Sequence, residues 1–379
     1  MTAVELLRDL VRLPSLNPMG RTWASTEFLF EHRVTAYLQR FFESLSLPWE
    51  RQPVSPQREN IFTRFDSPGA TRTILFEVHQ DTVPVEAMIV DPFGGEIRDG
   101  KVFGRGSCDV KGSMAVMLTV LARLVRERPK GASNLIVACS VDEEHTFLGV
   151  QELVKKVKAD FAIVAEPTQL KIVDAHKGVV RWKVRTPGRA CHSSRPDQGI
   201  NAIYRMGRLL GVIENYAQEL QRSRSDARLG PPTISVGRID GGVSVNTVPD
   251  DCVIEIDRRV LPGEVPLDTP CDFEAYLRKN TEIPFTLEPV WVNCPPLGNT
   301  HSAGVTAALG AAIDTVLGSH EVICVPFGTD GSTIAEAGVP SVVFGPGDIA
   351  QAHTCDEWIA IEQMEKAEQI LWRLVTTPH

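Results

Sequence analysis

The sequence predicts an α/β protein: a mainly parallel sheet with helices on both faces, interrupted by a second, smaller α+β domain. Three observations predict it. Short apolar runs alternate with long helical patterns through the first half of the chain. After about residue 177 the extended runs change to alternating apolar and charged positions, and from about residue 300 the first pattern returns.

Residues 1–13 set Glu5, Arg8, Asp9 and Arg12 among leucines and valines, which reads as an amphipathic helix and not a leader peptide. Runs 73–78, 134–141 and 161–165 read as buried strands. Between the first two, residues 110–128 place Met114, Met117, Leu118, Leu121, Leu124 and Val125 at helical spacing. In the middle region, 179–184 and 252–260 alternate, 233–239 and 285–292 are extended, and 201–222 and 268–279 are helical. The order strand, helix, strand, strand, helix, strand (βαββαβ) is that of a small two-layer domain. A helix at 302–317, a strand at 322–326, a helix at 332–337 and a strand at 341–344 then resume the first pattern. The expected division is therefore 1–176, an insertion at 177–294, and 295–379.

With 379 residues, 43% hydrophobic and 23% charged, the chain can bury two cores. Its formal charge of −9 disfavours nucleic acid and anionic lipid as partners. No apolar run reaches the roughly 20 residues of a membrane span. The eight cysteines are scattered without a C-x-x-C pair, as expected of reduced thiols in a cytoplasmic protein.

The chemistry gathers at strand ends. His79 and Asp81 follow one predicted strand, Glu143 and Glu144 the next, Glu166 the third, and His353 lies in the loop after the last. Asp109 ends the glycine-rich stretch GRGSCD directly before the long helix. In an open α/β sheet this edge is where ligands bind. Two histidines with several carboxylates suit divalent ions of the zinc type, and the carboxylates outnumber the needs of one tetrahedral ion. A carboxylate bridging two ions roughly 3.5–4 Å apart would use them better.

The segments HQDTVP (79–84), DPFGGEIRDGKVFGRGSCDVKG (91–112), DEE (142–144), AEPT (165–168) and GPGDIAQAHTCDE (345–357) resemble the M20 metallopeptidase family. AEPTQLKIVDAHKG (165–178) and CHSSRPDQGINAI (191–203) give the likeness an acetylornithine deacetylase or succinyl-diaminopimelate desuccinylase character. The resemblance implies a metal-dependent exopeptidase fold with an inserted lid and dimerisation domain. It implies that Asp109 bridges two divalent ions, with His79 and Glu166 completing one site and Glu144 and His353 the other. Zinc is the expected ion, cobalt and manganese the alternatives. Glu143 would be the general base, Asp81 would orient the His79 ring, and His192 would reach a neighbouring subunit's site in a homodimer. DRRVLPG (257–263) matches the pattern in which Arg259 faces the substrate. Asn246 in VNTVPD is a further substrate contact, weighed against a plain turn residue; Gly328 and Thr329 in FGTDG stand equally between pocket loop and tight turn. The sequence departs from the family at Val78, where glycine is usual, at Glu77, and at His145, Thr146 and Phe147.

The expected activity is hydrolysis of the amide of a small N-acylated amino acid. A dipeptidase or carboxypeptidase with the same centre is the nearest rival. A homologue without catalysis, acting as a binding protein, is the third reading.

Overall fold

Strand Thr73–His79 lies between Asn134–Ser140 and Phe161–Val164 and runs parallel to both; Ser341–Val343 continues the parallel set beside Phe161–Val164. These four strands form the middle of an eight-stranded sheet in this computed structural model, which describes residues 1–377. The hairpin of Trp49–Ser55 and Arg58–Phe65 extends the sheet antiparallel on one side, and Ile172–His176 and Val322–Val325 on the other. The central strands are apolar almost throughout, as a sheet covered by helices requires.

Five helices share the core of this sheet: Ala3–Val11, His32–Ser44, Lys111–Glu127, Ala303–Leu317 and Ile361–Thr376. Ala3–Val11 begins with a capping box between Thr2 and Glu5 and buries Leu6, Leu7, Leu10 and Val11. Lys111–Glu127 is buried along most of its length, and Ile361–Thr376 turns Met364, Ala367, Ile370, Leu371 and Leu374 inward at helical spacing. Each fully buried leucine contributes about 1.5–3 kcal/mol.

The chain divides into two units. One comprises Met1–Ala175, Gly298–Ile323 and the chain from Thr329 on; the other comprises His176–Leu297 and Cys324–Gly328. The short stretch Cys324–Gly328 was expected with the large domain. The amide of Lys177 donates to the carbonyl of Val325, and a Cβ at Gly328 would meet Val179 and Cys294, which ties this stretch to the second unit.

In the second unit Asp251–Val260 pairs antiparallel with Thr233–Gly241 on one side and Gly178–Pro187 on the other. Helices Ala202–Ser223 and Thr269–Asn280 bury Met206, Leu209, Ile213, Phe273 and Leu277 with Val180, Trp182 and Val184 of the sheet. The expected strand at 285–292 is instead two pieces, Thr286–Leu287 and Val292–Cys294, both paired with Gly178–Pro187. Pro289 between them has no amide hydrogen to give a ladder.

Candidate metal centre

The four parallel strands end on one edge, and that edge carries the expected residues of the first unit. His79 is the last residue of its strand and lies beside Ser140. Asp142, Glu143 and Glu144 follow Ser140, and Glu166 follows Phe161–Val164 by two residues. His353 sits beyond Ser341–Val343 in the left-handed region, with φ of 62°. Asp109 stands two residues before the first residue of helix Lys111–Glu127.

The loop bearing Asp109 is held from the far end of the chain. Glu357 is fully buried, and its carboxylate accepts the amides of Gly106, Cys108 and Asp109 at 2.9–3.1 Å and the Arg105 guanidinium at 2.6 Å. Gly106 turns with φ of 82°, and a Cβ there would come within 2.8 Å of Thr82.

Asp109 lies between the two histidines. Its Oδ1 is 3.2 Å from His79 Nε2, and its Oδ2 is 3.3 Å from His353 Nε2. Glu144 Oε2 is 3.1 Å from the same His353 nitrogen. Ligand atoms of His79, Asp109 and Glu144 lie within 4.8 Å of one another, and so do those of His79, Glu143 and Glu166. His79 therefore belongs to both clusters, a grouping that cuts across the ligand sets the resemblance implies.

The electrostatics are those of an acid cluster that needs positive charge. Burial, and then Glu166, push the Glu143 carboxyl well above its usual range; burial, and then Asp109, do the same to Glu166. Burial and Asp109 raise Glu144 to about 6. Against burial, hydrogen bonds with His353 and His79 hold Asp109 below the carboxylate range. Hydrogen bonds to Asp109 and Glu144 push His353 up to about 11. Protonated imidazoles thus supply the charge that cations would supply. Glu144 Oε1 is buried with no hydrogen-bond partner among the described residues. This donor set of imidazoles and carboxylates fits divalent ions.

Asp81 departs from its expected job. The group on His79 Nδ1 is the main-chain carbonyl of Asp81, at 2.9 Å; the carboxylate stays 3.8 Å away. The carboxylate instead accepts the amides of Glu143 and Glu144, both at 3.2 Å.

The other expected residues fall elsewhere. His192, Asn246, Arg259 and Gly328 belong to the second unit. His192 Nδ1 lies 2.8 Å from the Ser194 hydroxyl, and Asn246 Oδ1 accepts from the Ser244 hydroxyl at 2.6 Å. Arg259 donates to Asp257 at 2.7 Å, while its neighbour Arg258 is buried on the opposite face against Glu264. Thr329 is buried as the N-cap of helix Asp330–Glu336, accepting the Gly331 amide, so the tight-turn reading describes its side chain.

Several buried polar residues at this edge carried no signal of their own. Asn17, Arg58 and Asn60 precede or open ordinary-looking elements, and Glu357 closes the segment GPGDIAQAHTCDE without being given a role of its own there. Glu77 shares the Ser140 hydroxyl with Asp330, at 2.6 and 2.9 Å. A charge in an otherwise apolar strand was the one visible sign of that pair.

The fold and the donor set define a hydrolase of the metal-dependent kind, and comparison with known proteins agrees. Residues 75–377 match the model of peptidase family M20/M25/M40. The acetylornithine deacetylase of Myxococcus xanthus is 32% identical over 355 residues, 89% of this chain and 90% of its own. Among solved structures, the M20 metallo-carboxypeptidase Sso-CP2 of Sulfolobus solfataricus superimposes with a TM-score of 0.80 at 18% identity, over 99% of this chain and 98% of its own. A Bacillus subtilis protein described as a dinuclear metal-binding M20 peptidase gives 0.68 at 16% identity, over 99% and 96%. The chain belongs to peptidase family M20/M25/M40 and is a metal-dependent hydrolase acting on amide bonds.

Proposed function

We propose that this enzyme removes the acyl group from a small N-acylated amino acid, with two divalent ions, zinc first among them, held by His79, Asp109, Glu144, Glu166 and His353. The observation that carries it is the position of Asp109, one carboxylate oxygen facing each histidine. Its similarity over most of its length to an acetylornithine deacetylase favours deacylation over peptide cleavage.

Bound cations would polarise the amide carbonyl and lower the pKa of a water beside them, to about 7 at zinc. Glu143, on the turn held by Asp81, takes a proton from the attacking water and returns it to the departing amine nitrogen. His192 donates to the developing oxyanion. Asn246, Gly328 and Thr329 stay candidates for substrate contact, Thr329 through its main chain because its side chain caps a helix.

Specificity is read by offering acetyl-, succinyl- and formyl-amino acids, N-acetylornithine among them, beside dipeptides. Preferred cleavage of an acylated amino acid is expected; turnover confined to dipeptides would place the chain with the dipeptidases. Turnover of nothing in the panel, with no bound metal, would favour the non-catalytic reading.

Arg259 is the proposed clamp for the substrate carboxylate, a planar anion that a guanidinium can hold with two parallel hydrogen bonds. Each charged hydrogen bond is worth about 1.5–3 kcal/mol. Arg259→Ala is therefore expected to lower kcat/KM about ten- to a hundredfold. Converting the substrate carboxylate to a carboxamide should penalise the parent enzyme and scarcely affect the variant. An equal penalty in both would remove Arg259 from this role. Arg258→Ala makes a poor control, because Arg258 is itself buried and paired with Glu264, so its loss would disturb packing.

A homodimer through the second unit is part of the same proposal. Thr233–Gly241 is an edge strand of that unit's sheet; Ile239 lies on it, Val243 and Val245 follow it, and Tyr204 lines a hollow with Val245, all four of them exposed. Light scattering is expected to give twice the chain mass. Mixed dimers of His192→Ala and Glu143→Gln chains should regain activity that neither parent dimer has. Verified mixed dimers without recovery would rule out a shared site.

A further inference from the structure

The turn carrying Glu143 and Glu144 is fixed by Asp81 and by groups further from the centre, two of them supplied by one strand end. Residues i and i+2 of a strand face the same side. Arg58 and Asn60, the first and third residues of Arg58–Phe65, both reach under the loop that leaves Ser140, and both are buried. Asn60 Oδ1 accepts the amide of Val141 at 3.1 Å, and its Nδ2 donates to the carbonyl of Gly149 at 2.8 Å. One amide side chain thus closes both ends of the loop 141–149. Arg58 donates to Asp142 Oδ1 at 2.5 Å and packs under the Phe30 ring, with Glu31 on its other edge. Its guanidinium also stands 3.8 Å from the Asp81 carboxylate. Asn17 Nδ2 links the two acids, donating to Asp81 Oδ2 at 2.8 Å and Asp142 Oδ1 at 2.9 Å. Asp142 itself sits in the left-handed region, with φ of 65°, a conformation that needs such support.

We infer that Arg58, Asn60 and Asn17 are positioning residues that hold the Asp142–Glu144 turn, and through Asp81 its amides, in the geometry that aims Glu143 at its proton. None of the three is a metal ligand or reaches the reacting atoms. Their action is mechanical: Arg58 and Asn17 fix Asp142 and Asp81, Asp81 fixes the amides of Glu143 and Glu144, and Asn60 fixes the loop's two ends. Arg58 also places a cation against Glu31, Asp81 and Asp142, so a neutral replacement would remove the charge all three acids share.

This inference rests on the reading of Glu143 as the base, and its test separates the two. Arg58→Lys keeps the charge and removes the fork; Asn17→Ala removes the link between Asp81 and Asp142 and the acceptor of the Met19 amide, and leaves every charge in place. Both are compared with the parent as full-length, metal-loaded protein. Amide exchange in a peptide covering 141–147 is expected to quicken about tenfold or more while peptides of the second unit stay unchanged. Misplacing a catalytic group by about 1 Å can cost up to ~10²-fold, so kcat on the best substrate of the panel should fall about 10- to 100-fold. KM should hold within about threefold, because the substrate contacts are untouched. Metal content should stay at the parent level. For Arg58→Ala, added guanidinium ion should restore part of the lost kcat, which it would not do for a misfolded chain. Parent-like exchange over 141–147, or a kcat within about twofold of the parent, would overturn the inference. If Arg58→Lys does not fold, Asn17→Ala decides alone. Parent-like Asn17→Ala with an inactive Glu143→Gln would sink only the positioning role; an active Glu143→Gln would sink the base itself.

Discussion

Glu143→Gln is expected to keep its metal and lose about 10²–10⁴-fold in kcat, the usual contribution of a positioned general acid–base group. The substitution keeps the shape of the side chain and removes its capacity to take a proton. The turn should survive it, because its hydrogen bonds run through main-chain amides to Asp81 and not through the Glu143 carboxylate. Metal should stay because Asp109, Glu144 and His353 form their own cluster beside it. Steady-state kinetics together with elemental analysis check both halves. Turnover within a few-fold of the parent would take the role of base from Glu143.

Stripping the metal is expected to do at least as much. Loss of several kcal/mol of transition-state stabilisation corresponds to about three orders of magnitude or more in rate. Zinc or cobalt should restore it, with two equivalents per chain. The stripped centre also explains a pH effect whose sign can be worked out. His353 is held protonated up to about 11 by Asp109 and Glu144, and must lose that proton to become a ligand. Glu144, raised to about 6 by burial and Asp109, is ionised above that pH and protonated below it. Loading therefore releases protons near pH 7, and affinity should climb as pH rises. Calorimetry in two buffers of different ionisation enthalpy measures the release. Proton uptake on loading, or full activity in excess chelator, would contradict the metal reading. At a free metal concentration 100 times the dissociation constant the folded state should gain about 2.7 kcal/mol, seen as a higher Tm.

Much of the architecture was legible in the sequence because its signals are periodic. The run 73–78 and the helix 110–128 lie within one or two residues of strand Thr73–His79 and helix Lys111–Glu127. The helix His32–Ser44, the hairpin of Trp49–Ser55 and Arg58–Phe65, and the helix Ile361–Thr376 were not read. The hairpin is rich in polar residues, and Pro53 lies inside one of its strands, which hides a strand from any composition argument. The site divides in the same way. His79, Glu143, Glu144 and Glu166 stand out because their residue types are costly to bury and they fall at or just beyond strand ends; Asp109 and His353 stand out through the segments that carry them, GRGSCD before a helix and GPGDIAQAHTCDE. Arg58, Asn60, Asn17 and Glu357 do not, because their meaning lies in what they touch 60 to 250 residues away, and nothing local marks it.

The distance from Asp109 to Glu357 has a consequence for biosynthesis. The amide of Asp109 is tied to a carboxylate 248 residues later in the chain, and His353 lies only four residues before that carboxylate. A nascent chain threads out of the ribosome with His79, Asp109, Glu143, Glu144 and Glu166 long before it presents either partner. Until then the Asp109 loop lacks the carboxylate that takes three of its amides and the Arg105 guanidinium. The proposed ligand set, which counts His353, would close only when this late segment docks, and a chain interrupted before Glu357 would carry the acids without the carboxylate that holds the Asp109 loop.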